Sequence, residues 1–277
     1  MIKKIICPTD FSKSANNASE YAAHLAKEIG ADLLYVNVQQ IIPVAAAVSL
    51  AEGIGADERE NFKMAGKKLK EICKETTETF KIKTDFEVDI STQSMTKIIS
   101  TFGAENTLIV MGTNGADDMY QYFFGTNTFH VISKTSLPVL VIPENAIYKS
   151  IKKIVFAWDY NTKNTFSFSL LNNFVKDFNP EFIFLHVSKH HTEISEDVFR
   201  SLRSEVTNVL GKINNVEFEQ IFSDNIPGSI NDYMKSSEAN ILSITFYNRG
   251  ILRNMFHGTV AKELSETSHY PILVLHA

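Results

Sequence analysis

The sequence predicts an α/β fold built twice over: two tandem, open, doubly wound domains, each with a five-stranded parallel sheet. Three observations carry that expectation. Short, uniformly apolar runs alternate with longer segments whose apolar residues recur at helical spacing. Those runs lack the in–out alternation of a half-exposed sheet, so they belong to parallel strands covered on both faces. The whole pattern also occurs twice within 277 residues, a length that suits two domains of about 100–200 residues each.

The repeat is legible residue by residue. "KKIICPTD" (3–10) returns as "KKIVFAWD" (152–159), and "ADLLYVNV" (31–38) as "PEFIFLHV" (180–187), both displaced by 149 positions. "ENTLIVMG" (105–112) returns as "ANILSITF" (239–246) at 134, and "GTNTFHVISKTSLPVLVIP" (125–143) as "GTVAKELSETSHYPILVLH" (258–276) at 133. The change in offset falls between the second and third strands, where the first half carries the extra segment 39–57. The expected domains are 1–147 and 148–277, joined through "ENAIYKS".

Within the first half, "KKIIC" reads as a strand. "SKSANNASEYAAHLAKEIG" follows as a helix ending at Gly30, because glycine accepts the left-handed conformation of a C-terminal cap. "DLLYVNV" is a strand, 58–80 a charged amphipathic helix, "KTDFEVD" a weaker strand and 94–103 a short helix. "TLIVMG" is a fully apolar strand, "TNTFHVISKT" a helix and "PVLVIP" the last strand. Crossovers between parallel strands are right-handed. The final strands, "PVLVIP" and "PILVLH", are expected at sheet edges, and exposed edges need a partner. The two halves are therefore expected to form an intramolecular pseudo-dimer about a pseudo-twofold axis, with a homodimer of the whole chain as a further step.

Composition narrows the function. A net charge of −5 and a pI near 5.9 give no basic footprint for nucleic acid or for an acidic membrane. Two cysteines, Cys7 and Cys73, make neither a disulfide framework nor a CxxC pair, which fits a reducing compartment. The N-terminal residues do not read as a signal peptide. The longest apolar stretch, 41–51, is too short to span a bilayer and contains Pro43. The expected location is the cytoplasm.

The chemistry concentrates at strand ends. In open α/β sheets ligands sit beyond the carboxyl ends of the strands, where Asp10 and Gly112 stand. Gly112 and Gly115 carry no Cβ, so the backbone can approach a ligand or take positive φ. Gly125 and Thr126 open a helix whose first-turn N–H groups and positive dipole end suit an anion. Thr126 and Thr128 add hydroxyls. Together these make a phosphate cradle of the form G-x2-G-x9-G-[ST], distinct from a Walker loop and from GxGxxG.

With "PTDFS" ending the first strand and the tandem repeat around it, the chain resembles a tandem universal stress protein along nearly its whole length. That resemblance implies a fold of the adenine nucleotide alpha-hydrolase type and ATP, with AMP or ADP as alternatives, in the first domain. Pro8, Thr9 and Asp10 would border the adenosine, with the Asp10 carboxylate on the ribose hydroxyls. The Val38 backbone would meet the adenine edge, and Met111 and Gly112 would flank the sugar. Asn114, Gly115, Gly125, Thr126, Asn127 and Thr128 would surround the phosphates, with Mg²⁺ or Mn²⁺ held by the phosphates themselves and no protein metal site. Asn114 stands where nucleotide-binding relatives often carry a basic residue, and Asp117 and Asp118 add like charge nearby. In the second half Phe246 replaces Gly112, Arg249 replaces Gly115, Ala261 replaces Thr128 and Trp158 replaces Thr9, while Asp159 and Gly258-Thr259 are kept. That half is expected to be degenerate, its nucleotide space occupied by side chains.

Plainer readings stand beside these. Asp10, Thr126 and Thr128 are favoured helix caps, and glycines also simply turn a chain. His190-His191 lacks the spacing of a metal site, and 63–75 reads as a solvated helix face. Segment 41–57 is a flap, a subunit contact or a short helix on the domain. No general base is evident beside the phosphates, so the expected function is regulatory nucleotide binding with slow or no hydrolysis. The alternative is a nucleotide-independent interaction module. An adenylating ligase or ATP pyrophosphatase would need a glycine-serine loop where this chain has "PTDFSKSA".

Overall fold

The computed structural model describes residues 1–40, 56–91, 95–103, 106–113, 126–158, 171–172, 176–189, 193–210, 215–246 and 270–276. The first half runs β1 (Lys4–Pro8), α1 (Lys13–Ile29), β2 (Asp32–Gln40), α2 (Ala56–Phe80), β3 (Thr84–Ser91), α3 (Met95–Phe102), β4 (Thr107–Gly112), α4 (Thr126–Lys134) and β5 (Val139–Ile142). The described elements of the second half are β6 (Lys153–Ala157), β7 (Glu181–Ser188), α5 (Glu196–Leu210), β8 (Val216–Phe222), α6 (Ile226–Ser236), β9 (Ile241–Phe246) and β10 (Ile272–His276).

Each element has a local cause. The Ser12 side chain caps α1 by accepting the N–H of Ala15, and Gly30 closes the helix at φ 68°, ψ 34°, the left-handed geometry that its missing Cβ permits. Asn225 caps α6 by accepting the N–H of Gly228, with Pro227 in the first turn where no amide hydrogen is needed. β1, β4 and β5 are buried nearly throughout, as strands covered on both faces should be.

The ten described strands form one sheet, ordered β3-β2-β1-β4-β5-β10-β9-β6-β7-β8. Every neighbouring pair is parallel except β5 and β10, which meet antiparallel with Leu140 opposite Leu273. Thus β5 and β10 are the edge strands expected of the two halves and pair with each other, so the outer edges of the joined sheet are β3 and β8. Read inward from either end, the strand order is the same.

The sheet carries a core on each face. On one lie Ile5, Cys7, Leu33 and Tyr35 against Tyr21 and Leu25 of α1 and Leu69 of α2, continuing through Phe156, Phe182 and Phe184 to Leu202 and Val206 of α5. On the other lie Ile6, Leu34, Val36, Ile109 and Met111 with Ile99 of α3 and Val131 of α4, continuing to Ile230 and Met234 of α6. Both cores run across the β5–β10 junction, so the halves share buried apolar surface. Further polar links cross over: Asp177 Oδ2 accepts the N–H of Ile2 at 2.8 Å, and the connecting segment is held to α1 by Glu28, which accepts from Ser150 Oγ at 2.5 Å and from the Tyr148 hydroxyl.

Candidate nucleotide cleft

β1 lies between β2 and β4, and the chain leaves it toward opposite sides: β2 and β3 on one flank, β4 and β5 on the other. This is the topological switch point where open α/β sheets form a crevice. Its lips are the turn after β1, Thr9–Ser12, and the end of β4, Gly112–Thr113.

The β1 turn is tightly specified. Thr9 N–H donates to Val36 O at 2.9 Å, extending the parallel ladder by one bond. Thr9 is buried, and its Oγ1 accepts the N–H of Phe11 at 3.1 Å. Phe11 takes φ 65°, unusual for a residue with a Cβ, and its ring lies under the Lys68 ammonium at 5.0 Å. Asp10 is exposed and its Oδ1 accepts the N–H of Ser12 at 3.0 Å, an Asx turn. The cap of α1 is therefore Ser12 and not Asp10, which leaves the second carboxylate oxygen of Asp10 available at the lip. The buried Asn37 amide donates to Thr9 O at 2.7 Å and fixes the turn against β2.

β2 outlasts β1. The Val36 carbonyl faces β1, and alternate residues of a strand direct their backbone groups to the same side. Val38 therefore turns its N–H and C=O toward the side of β2 where β1 has ended. Its side chain is half-buried against the core of the other face. Pro8 and Met111 are buried, and Met111 packs in the core under α3 and α4, so each offers the cleft mainly its backbone.

Gly112 does something the sequence did not suggest. Its φ is not positive; among the described residues Gly30 is the one glycine that is. A Cβ on Gly112 would lie 2.5 Å from Ser14 Oγ, 2.6 Å from Ser14 O and 2.7 Å from Ser14 C. The glycine is demanded by the first turn of α1, which crosses β4 at this point, and Ser14 Oγ donates to Thr113 O across the contact. Thr128, expected as a hydroxyl donor to phosphate, is buried and donates from Oγ1 to Gly112 O at 3.0 Å. That bond ties the first turn of α4 to the end of β4. Asn127 is exposed and Thr126 begins α4. Asn114, Gly115, Gly125, Asp117 and Asp118 lie outside the described residues, as does the side chain of Thr126. So do segment 41–55 and His190-His191.

Sequence reasoning passed over Asn37, Ser12 and Ser14. Asn37 left a readable trace, a lone amide in the apolar run "LLYVNV". The role of Ser14 depends on a contact across 98 positions with Gly112 and left none.

The second cleft repeats the backbone and changes the side chains. Trp158 N–H donates to Leu185 O at 2.9 Å, as Thr9 does to Val36. His186 Nδ1 donates to Trp158 O at 2.9 Å, in the place of Asn37. The Trp158 indole is buried where Thr9 has a hydroxyl, and Phe246 ends β9 where Gly112 ends β4. Asp159, Arg249, Gly258, Thr259 and Ala261 lie outside the described residues. No described helix is long and apolar enough to cross a membrane.

Comparison with known proteins agrees with this architecture. The Universal stress protein family model matches residues 1–143. The chain is 31% identical over 156 residues to universal stress protein MJ0577 of Methanocaldococcus jannaschii, covering 51% of this chain and 95% of that protein. It is 29% identical over 144 residues to MJ0531 of the same organism, covering 51% and 82%. A universal stress protein structure from Archaeoglobus fulgidus superposes with a TM-score of 0.70 over 99% of this chain and 98% of that one; at 17% identity this speaks for the fold alone. The protein belongs to the universal stress protein family.

Proposed function

We propose that the chain is a regulatory protein that binds an adenine nucleotide, ATP or its di- or monophosphate, in the cleft of its first half and turns it over slowly or not at all. The observation that carries this reading is the switch point itself. Val38 presents backbone edge groups beside the end of β1, Asp10 keeps a carboxylate oxygen at the lip, and the start of α4 is pinned to the end of β4 by Thr128. An adenine, a ribose and a phosphate tail would meet those three features in that order. Gly115, Gly125 and Thr126 would complete the seat, with a divalent cation carried by the phosphates. The second half would hold no nucleotide in this manner, since Trp158 fills the equivalent space. In this reading the units 1–147 and 148–277 are two copies of one fold, joined by a pseudo-twofold relation at β5 and β10.

A second reading, a nucleotide-independent interaction module, has a specific observation in its favour. Gly112 is explained by α1 and the Thr128 proton by Gly112 O, so neither residue needs a ligand. Thermal unfolding with and without ATP and Mg²⁺ separates the two. A ligand at 100 times its Kd adds about 2.7 kcal/mol, so the first reading expects a clear rise in Tm at millimolar ATP. Asp10→Ala should cut that rise, Gly125→Val should abolish it, and Gly258→Val should leave it unchanged. No rise in the wild type favours the interaction module, and loss in both glycine variants contradicts a single working cleft.

A further inference from the structure

We propose that His276 is a positioning residue for the first-half cleft: the second half, through this one side chain, holds the helix on which the nucleotide's phosphates would rest. The inference rests on the reading above that the start of α4 is the phosphate seat.

The contact follows from the antiparallel junction. β10 runs opposite to β5, with Val274 beside Val139, so β10 continues past the beginning of β5 toward the end of α4, the helix that feeds β5. There His276 Nε2 lies 2.8 Å from Ile132 O, with both residues buried. A carbonyl only accepts, so Nε2 carries the hydrogen. Ile132 stands in the last turn of α4, where carbonyls run out of donors within the helix. An imidazole from the second half therefore caps the C-terminal end of a first-half helix.

α4 is then held at both ends. Thr128 Oγ1 bonds Gly112 O at its first turn, and His276 bonds Ile132 O at its last. From Ile132 back to Thr126 is about 9 Å along a rigid helix axis, so an axial shift at one end appears at the other. Behind His276 stands Phe246, ring edge to ring at a centroid distance of 5.7 Å. Phe246 is the residue in the place of Gly112, so the side chain that replaces a glycine at the second cleft also buttresses the cap on the first. The clamp runs one way. Residue 143 occupies the position of His276 in the first half and is proline, which has no side-chain donor.

The test uses the full chain with His276→Leu and His276→Gln; glutamine retains an amide donor near the Nε2 position. Two readouts are taken: ATP affinity by calorimetry at a temperature where all three proteins are folded, and hydrogen exchange of α4 amides without nucleotide. The expected result is faster exchange in α4 and an ATP affinity weakened by about threefold or more in His276→Leu, within the range of long-range coupling, with both restored in His276→Gln. The imidazole resonances of His276 should also move when ATP is added, which a residue serving stability alone would not show. Unchanged α4 exchange in His276→Leu overturns the clamp whether or not ATP binds. Unchanged affinity in His276→Leu, with α4 exchange faster, overturns the positioning role. A wild type that binds no ATP overturns the nucleotide reading and the positioning role with it, while the exchange result still decides the clamp.

Discussion

Replacing Gly112 with alanine is the sharpest perturbation this fold offers. The added methyl carbon would sit 2.5–2.7 Å from Ser14 Oγ, O and C, against the 3.5–4.0 Å at which carbon atoms rest in contact. Two of those three atoms are backbone, so rotating the serine side chain relieves only part of the clash. α1 has little freedom to retreat. Its start is capped by Ser12, Ser14 bonds Thr113 O, Lys13 pairs with Glu144 at 2.6 Å, and Asn17 Nδ2 donates to the carbonyls of Pro143 and Ala146 at 2.8 and 3.0 Å. Overpacking a tight site costs about 1–3 kcal/mol, and the upper part of that range is expected here. Gly66→Ala is the control: a Cβ there meets nothing within 4 Å, and alanine is favoured over glycine in a helix by about 0.8–1.0 kcal/mol. Urea unfolding of both variants should show a lower midpoint for Gly112→Ala and a higher one for Gly66→Ala, at similar slopes. If Gly112→Ala were as stable as the wild type while losing ATP binding, the glycine would be there for the ligand and the packing argument would be wrong.

Thr128→Val keeps the shape of the side chain and removes the bond to Gly112 O, leaving a part-buried acceptor; a loss of about 1–3 kcal/mol is expected by chemical denaturation, and Thr128→Ser should recover most of it. His276 has its pKa lowered, chiefly by burial and against the pull of Ile132 O. The folded state thus prefers the neutral ring, so its contribution is full above the unfolded value of about 6.5 and is lost as pH falls below it; in His276→Gln the slope of stability between pH 5 and 7 should flatten. Burial pushes the Cys7 thiol up to about 12 and raises that of Cys73, so a thiol-reactive dye should label the native protein only as fast as it opens, and a rapid stoichiometric reaction would contradict the packing around α1 and α2.

Most of the fold was legible because its causes are local. Burial on both faces writes itself as runs such as "TLIVMG", and the αL cap at Gly30 and the charged length of α2 are written in single residues. α2 begins at Ala56, two residues before the expected start, and β2 runs to Gln40, beyond the expected Val38, the usual blur where an element ends in polar residues. The union of the halves into one sheet is not local. It depends on β5 and β10 finding each other, and either run alone reads as an edge. The strand ends at Asp10, Val38 and Gly112 were legible, but the contact of Gly112 with Ser14 was not. A glycine at a strand end carries the same letter whether a ligand or a serine 98 positions away needs the space.

The two halves share one backbone plan and differ in side chains. Thr9 and Trp158 donate the same backbone bond to the neighbouring strand, and Asn37 and His186 steady the same carbonyl. The scaffold of the turn therefore survives the change from Thr9 and Asn37 to Trp158 and His186. What differs is the side chains around it. In the first half the small Thr9 side chain turns back to accept the N–H of Phe11. In the second the buried Trp158 indole packs against His186 at a ring distance of 6.2 Å, and Phe246 lies against His276. Both aromatic contacts lead to histidines that bond carbonyls, and one of those carbonyls belongs to the other half. If the proposed clamp holds, the second half would act on the first through that bond.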